Sequence, residues 1–553
     1  MGMSTDQARH DAIYDEAMGQ RRERERRRRQ PPLVRLWEPT NTGLKLRGQV
    51  AGEYAASFQF KLNDTGQGTL ALPWDHRLAE WAVQWWNRGK DNIVITVDKD
   101  GSRWSGTMES VTTDQSDEGD RTVTLSFLHD YEQVKHLTVW PNPFTPAGLQ
   151  FPKVWQLYGP AAYILKVSLF VNLFRQHGSL WQLPEDPLDP RTWIRGLNYK
   201  DWPVLVQPRS IFMDDSPWRY VYSRMKSWHE MAEPVLAEAR LMVTVRRWLV
   251  GDPDPWPGAN LKLNGQIIID VVDKSGWWDE TATGGTLFHG MARTALDVAD
   301  NIIDETRFVL DAPPDRGEYR KGWLGTKPKA PWVVYRTNQP YNTAVSTSYT
   351  YKPATVAQVT VGGKSMPGVN EFLSATNKLI FNILGSFILQ PGLGSVIDTA
   401  VNPIYSDVLL SFMSFRSPLR TRNLGWGHYM ENFQDGGDSA YTLSSLLALR
   451  KGFWETKAQV SHEITIADGA PYLIGDNGQG HFFLGDRIGA EIPGARDGRI
   501  DVSQCVELNL SWSVDQPHQW EATIGAWPER DPVEWAINQV KEVSAGLQEL
   551  GVL

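Results

Sequence analysis

Residues 471–494 read "PYLIGDNGQGHFFLGDRIGAEIPG", and the fold class turns on whether this stretch wraps a ligand or only turns corners. Its glycines and the acidic residues Asp476, Asp486 and Glu491 stand between short apolar runs. A phosphate loop needs a helix N-terminus straight after the glycines, where free amides meet the anion. Here "HFFLGDRIGAEI" is aromatic, β-branched and alternating, with Ile488, Ala490 and Ile492 on one face of a strand. A calcium loop needs oxygen ligands at alternate positions and a closing glutamate at its twelfth. Counted from Asp476, the third position is Gly478 and the twelfth is Arg487. The stretch therefore reads as strands joined by a hairpin connection at "DNGQG" and a sharp bend at "LGDRIG".

Outward from it, the chain divides into blocks. Residues 1–33 form a charged arm ending in "RRERERRRRQPP", with Arg21, Arg22, Arg24, Arg26, Arg27, Arg28 and Arg29 set against two glutamates. Such a run suits an anionic surface or a solvated or docked helix. Residues 34–140 are β-rich, with "ASFQFKLND", "GTLALPW", "NIVITVDKDG", "SRWSGTMESVTT" and "DRTVTLSFLHDY" separated by turn signals. A helix capped at Asp75 is expected inside this block, with Leu78, Trp81, Ala82 and Trp85 closing one end of a small β-barrel.

Residues 141–330 are mixed. "GPAAYILKVSLFVNLFRQHG" reads as a buried helix, and Pro217 is expected to open a second one placing Trp218, Val221, Tyr222, Met225, Trp228 and Ala232 on one face. "RLMVTVRRWL" and "GQIIIDVVDKSG" read as strands, followed by a helix near 286–302 and a Pro/Gly/Lys linker. Strands return over 331–365. An apolar helical insertion and a helix capped by Asp438 are expected over 366–457, and a second β-rich block over 458–530. The end, 531–553, carries Val533, Ala536, Val540, Val543, Leu547 and Leu550 at spacings of three and four, the seam of a short coiled coil or the buried stripe of a docked helix.

Composition bounds the function. A chain of 553 residues exceeds the roughly 250–300 at which one core stops growing, so several domains are expected. The 56 basic and 65 acidic residues leave a net charge of −9, so the surface as a whole does not attract nucleic acid. The single Cys505 rules out an internal disulfide framework and any multi-thiolate metal site. No secretory signal opens the sequence. The most apolar run, Leu379, Ile380, Phe381, Ile383, Leu384, Phe387, Ile388 and Leu389, is about half of the roughly 20 residues a membrane span needs. The 25 tryptophans fit either large core side chains or an interface, including a sugar-stacking face.

Catalytic motifs fail on spacing. "HEMAE" at 229–233 puts Glu233 where a zinc protease needs its second histidine. "VTVGGKS" at 359–365 has Gln358 where a P-loop needs glycine. There is no GxSxG elbow, and Cys505 sits in a strand-like run that buries the thiol. The carboxylate pairs Asp214/Asp215 and Asp279/Glu280 are sequence neighbours, whereas glycoside hydrolysis needs two carboxyls facing each other across a cleft. No enzyme activity, cofactor or metal is expected.

The block order, with "ASFQFKLNDTGQGTLALP", "VYSRMKSWHEMAEPVLAEA", "VVDKSGW", "TVGGKSMPGVNE", "LRKGFWETKAQVSHEITIADGAPYLIG" and "HFFLGDRIG", resembles the minor tail proteins of phages infecting actinobacteria. More distantly it is similar to the tail hub proteins of long-tailed phages. The resemblance spans most of 33–527. It implies an α+β, multidomain virion protein of the tail tip, with two small β-barrel-like hub domains per chain, a mixed middle region, the apolar insertion and a C-terminal helix.

It further implies a homotrimer that joins the sixfold tail tube to the central tip and controls the DNA exit channel, with DNA passing through without sequence-specific binding. Under it, Asp486 and Arg487 are candidate contacts to the ring above. The insertion would pack at the threefold axis, plug the channel or meet the host envelope. The alternative is a tail tip protein that binds cell-wall glycans through exposed tryptophans or degrades the cell wall.

Overall fold

The computed structural model describes residues 2–276, 331–336, 345–362, 412–434, 449–456 and 458–525, apart from short interruptions. The arm is one long helix, α1 (Gly2–Arg28), followed by β1 (Leu33–Thr40), β2 (Gly43–Gln49), β3 (Ala55–Lys61) and β4 (Gln67–Pro73). After α2 (Arg77–Val83) come β5 (Val94–Lys99), β6 (Ser102–Gln115), β7 (Arg121–His129) and the short α3 (Glu132–Lys135). The middle region supplies β8 (Trp155–Pro160), α4 (Ala161–His177), β9 (Val204–Val206), β10 (Trp218–Ser223), α5 (Trp228–Ala239), β11 (Leu241–Trp248) and β12 (Gln266–Asp273). Then follow β13 (Val333–Tyr335), β14 (Val345–Lys352), β15 (Val356–Gly362), β16 (Phe412–Arg416), α6 (Pro418–Leu424) and β17 (Tyr429–Gln434). Last come β18 (Gln459–Ala467), β19 (Arg487–Glu491), β20 (Ile500–Ser513) and β21 (Gln519–Gly525).

The fold is α+β with several sheets. Where the sequence led us to expect two small barrels, the described residues of both β-blocks form one open sheet of 13 strands that does not close on itself. Its order is β14-β18-β21-β20-β3-β4-β7-β6-β5-β1-β2, with β13 and β19 branching from β20. The join is the antiparallel pairing of β20 with β3, from Glu507 opposite Lys61 to Ser513 opposite Ala55.

Period-2 alternation explains the strands. In β3 the residues Ala56, Phe58 and Phe60 are buried while Ser57 and Gln59 are only half-buried, and β21 buries Trp520, Ala522 and Ile524 in the same way. These side chains form one core across both blocks, where Phe58, Leu70 and Phe127 share a cluster with Leu508, Trp520 and Ile524. Burying one such side chain contributes about 1.5–3 kcal/mol.

A second core fills the middle region. There α4 and α5 cover the β8–β10 pair and the three-stranded sheet β11-β12-β9. The helix expected to open at Pro217 starts eleven residues later, at Trp228. Trp218–Ser223 alternates between half-buried and buried and pairs with β8, and α5 begins at Trp228 behind a capping box of Ser227 and Glu230. In the first block, α2 is capped by His76 rather than Asp75: its ring accepts from the Leu78 amide. The stripe there is shorter than expected, since Trp85 lies beyond the helix end and is 61% exposed.

The middle region is fastened to the first block by polar groups that stand in for strand partners. Asn63 donates to the Leu241 carbonyl and accepts from the Val243 amide, both at 2.8 Å. Arg103 pairs with Asp98 and Asp252, and Arg247 reaches the buried Asp130 at 2.5 Å. Part of 366–457, expected to be helical, is instead strand: β16 and β17 flank β15 in a separate three-stranded sheet. The apolar run 379–389, the helix near 286–302, most of the helix after Asp438 and the terminal seam 533–550 lie outside the described residues.

Replacing Phe58 by alanine should lower stability by about 3–5 kcal/mol, while Thr69→Ala on the opposite face should stay within about 0.5 kcal/mol. Thermal and urea unfolding of the two variants distinguish them. His129 packs against the Phe60 and Trp104 rings, its Nδ1 accepts the Tyr131 amide, and burial pushes its pKa down to about 4; burial does the same to His177. The unfolded chain then binds more protons below pH 6.5. Stability should be complete above about pH 6.5 and fall by up to roughly 1.4 kcal/mol per pH unit for each such histidine as pH drops toward 4. Melting temperature against pH checks this, with a shallower slope expected for His129→Asn.

Candidate assembly surface

The eight strands from β14 to β6 present two chemically opposite faces. Because partners across a ladder share a face, Ser110, Ser126, Thr69 and Ser57 line up across β6, β7, β4 and β3. Glu507, Thr523, Thr465 and Ser346 do so across β20, β21, β18 and β14. Hydroxyls and amides dominate this side, knitted across the join by Gln59 to Glu507 at 2.6 Å and Ser57 to Asn509 at 3.0 Å. Its charges are Lys61 and Lys352 against Asp114, Glu463, Glu507 and Glu521, so it is acidic on balance. On a surface of small hydroxyls where carboxylates outnumber the two lysines, a phosphate backbone meets net repulsion rather than a cationic cradle.

The two ends of this eight-stranded segment are open. β14 pairs only with β18 among the described residues, and Ser346, Ser348 and Thr350–Lys352 are exposed. β6 bends at a bulge between Met108 and Ser110: its first half pairs with β5, its second half with β7 alone among the described residues. Unpaired strand edges are templates for another chain unless they are blocked.

The arginine arm is docked on its own chain at the point where the two β-blocks meet. Lys99 of the first block donates to the Arg27 and Arg28 carbonyls at 3.0 and 3.3 Å, and His518 of the second reaches the Arg28 carbonyl at 2.6 Å. The cation at the negative end of the helix dipole satisfies carbonyls that the helix itself leaves open. Arg28 adds a bond to the Tyr472 carbonyl and an ion pair with Asp468. Glu23 is shared by Arg26 and Arg27, while Arg21, Arg22 and Arg29 are exposed.

The glycine-rich stretch lies at the same corner. The Asp476 amide donates to the Asp100 carbonyl, Asn477 donates to the Gly101 carbonyl and Trp520 to the Asp100 carboxylate, at 3.0, 2.9 and 3.0 Å. Gly101 has φ of +78°, and a Cβ there would stand 2.3 Å from the Asp476 carbonyl oxygen, so only glycine fits. Asp486 is held inside the chain: it accepts from Lys274 at 2.6 Å and from the Phe483 amide at 2.8 Å. The Arg487 side chain runs past Gly276. Sequence reasoning missed Lys99, His518 and Asp100, because a single lysine or histidine at a strand end carries no periodic signal.

The rejected motifs fall where their residue types can be satisfied. His229 shares a 2.9 Å hydrogen bond with the Tyr131 hydroxyl, and Cys505 is buried in β20 with its thiol pKa pushed up by burial. Asp214 is buried and accepts from the Ser216 amide at 2.9 Å. Among the described residues no three His, Cys, Asp or Glu side chains gather as metal ligands, and no helix is long and apolar enough to cross a membrane. The tryptophans divide: Trp104 and Trp228 are core, while Trp74, Trp85, Trp86, Trp332 and Trp426 are more than half exposed.

Comparison with known proteins gives a family match and near full-length relatives. The Siphovirus ReqiPepy6 Gp37-like protein family matches residues 33–526. The chain is 33% identical to minor tail protein Gp28 of Mycobacterium phage D29, over 99% of both chains. It is also 33% identical to minor tail protein Gp28 of Mycobacterium phage L5, over 98% of both. Among solved structures it is similar to the 43 kDa tail protein of prophage MuSo2 from Shewanella oneidensis, at 8% identity and a TM-score of 0.39, covering 89% of this chain and 98% of that one.

The α1 seat is testable in isolation. Lys99→Met removes the buried donor to the last helical carbonyls, a charge-assisted bond whose loss costs about 1.5–3 kcal/mol. Trypsin should then cleave within Arg21–Arg29 roughly tenfold faster or more than in the unsubstituted chain, read by mass spectrometry of early fragments.

Proposed function

The chain belongs to the Siphovirus ReqiPepy6 Gp37-like protein family and is a phage minor tail protein; on that premise we propose that it is the trimeric hub of the tail tip, joining a sixfold tube to the central tip and framing the channel through which DNA leaves.

The observation that carries this reading is the tandem build of the sheet. The segment β14-β18-β21-β20 is followed, side by side, by β3-β4-β7-β6. Each ends in a strand of 14 residues with a bulge near its middle: Cys505/Glu507 in β20 and Met108/Ser110 in β6. Each long strand also sends its first half to a separate group of strands, β20 to β19 and β6 to β5. One chain therefore supplies two like units, and three chains supply six, which is what a threefold plug beneath a sixfold ring requires.

The polar face is suited to line a channel. Its excess of carboxylates repels the phosphate backbone and its hydroxyls add no charge to hold it, so DNA slides past without a binding well. The role is structural and non-enzymatic, and the relatives carry the name minor tail protein.

Light scattering and mass photometry of the purified chain test the reading. A species of three times 62.5 kDa, seen end-on as a threefold ring with an open centre in electron microscopy, is expected. A chain that stays monomeric at every concentration up to the micromolar range would overturn it.

A further inference from the structure

The joint inside one chain predicts the joint between chains. Resting on the trimeric hub reading, we infer that neighbouring copies associate by antiparallel pairing of the second half of β6 with β14 of the next copy, with Thr112 opposite Ser348.

The register of the joint inside the chain carries over to the joint between copies. In the second unit the long strand β20 is covered on one side by β21 and on the other by β3. In the first unit β6 is covered by β7 on the corresponding side, and among the described residues nothing stands where β3 would stand. The strand that opens the second unit, β14, holds the position that β3 holds in the first, outermost and next to the second strand of its unit. Its outer edge is free among the described residues. The empty place on β6 thus has the shape that a β14 fills, and each copy carries one of each.

Aligning the bulges fixes the residues. Glu507 follows the bulge of β20 as Ser110 follows that of β6. Across the sheet, Ser110 leads through Ser126 and Thr69 to Ser57 of β3, while Glu507 leads through Thr523 and Thr465 to Ser346 of β14. Ser346 is therefore the counterpart of Ser57. Within the chain Ser57 stands opposite Ser511 and Gln59 opposite Asn509. Counting the same steps from Ser110 puts Ser346 opposite Asp114 and Ser348 opposite Thr112 of the neighbour.

Side-chain chemistry independently favours that register. On the polar face Ser110 would meet Thr350 and Thr112 would meet Ser348, continuing the rows of hydroxyls. On the other face Val111, which packs on the main core, would meet Tyr349, as Leu508 meets Phe60 inside the chain. No like charges are opposed along the ladder, and Glu109 and Lys352 fall near each other at its end. A slip of one residue would turn Val111 against a serine or threonine and break the facing of the sheet.

Cysteine pairs test the register. The full-length chain carrying both Thr112→Cys and Ser348→Cys, or both Ser110→Cys and Thr350→Cys, should shift on mild oxidation from 62.5 kDa to covalent dimers and trimers on denaturing gels, reversed by reductant. The buried Cys505 serves as its own control in the unsubstituted chain, which should stay uncrosslinked. The offset pair Thr112→Cys with Ser346→Cys should crosslink far less.

Equal crosslinking of matched and offset pairs, or none in variants that light scattering shows to be trimeric, overturns the register and leaves the hub reading standing. A monomeric unsubstituted chain overturns both.

Discussion

The rest of the architecture depends on the pairing of β3 with β20. It brings Gln59 and Glu507 into hydrogen-bond contact although 448 residues separate them in sequence. Without it each β-block would expose an unpaired edge and half of a core, because Phe58 and Phe60 lean on Leu508, Leu510 and Trp520 rather than only on their own block. The apolar face of the combined sheet removes enough surface from water to repay ordering so distant a pair. Among the described residues neither block closes into a barrel by itself, and the sheet they share is open at both ends.

Everything else at the join reinforces it. The corner loop around Gly101 fits under Asp476, the Trp520 indole is anchored to Asp100, and the last turn of α1 is held from both sides by Lys99 and His518. The arm is thus a strap across the two blocks at its root, and its remaining turns carry a basic run next to an otherwise acidic protein. Gly475 serves this closure: a Cβ on it would stand 2.8 Å from the Asp100 carbonyl oxygen, so the stretch that resembled a ligand loop holds a piece of the same chain.

The strands were legible because alternation is a local signal. Ala55–Lys61, Gln67–Pro73 and Gln519–Gly525 each bury every second residue and can be recognised from their own sequence. Elements whose identity depends on distant partners were not. Trp218–Ser223 has the aromatic content of either a helix face or a strand, and only its pairing with β8 decides; the Ser227–Glu230 capping box just after it was the available sign that the helix begins later. The continuity of the sheet was invisible for the same reason: nothing in β3 alone names β20 as its neighbour. The family resemblance supplied the tail assignment, since assembly surfaces made of serine, threonine and backbone edges leave no motif.

That absence of a motif has a physical basis. A catalytic site concentrates unusual chemistry in a few side chains, whereas a sheet that joins copies of itself uses the backbone, which every sequence possesses. Specificity must then come from length, bulge position and the facing of side chains, and these appear twice in this chain, once satisfied at β20 and once, among the described residues, unsatisfied at β6. On the hub reading the unsatisfied copy is the functional one. On that reading, an eight-stranded segment that repeats its own joining rule and has a free edge at each end among the described residues is built to be continued by another molecule of the same kind, and the hydroxyl-rich, acidic face it carries along is the surface that such a ring would turn toward passing DNA.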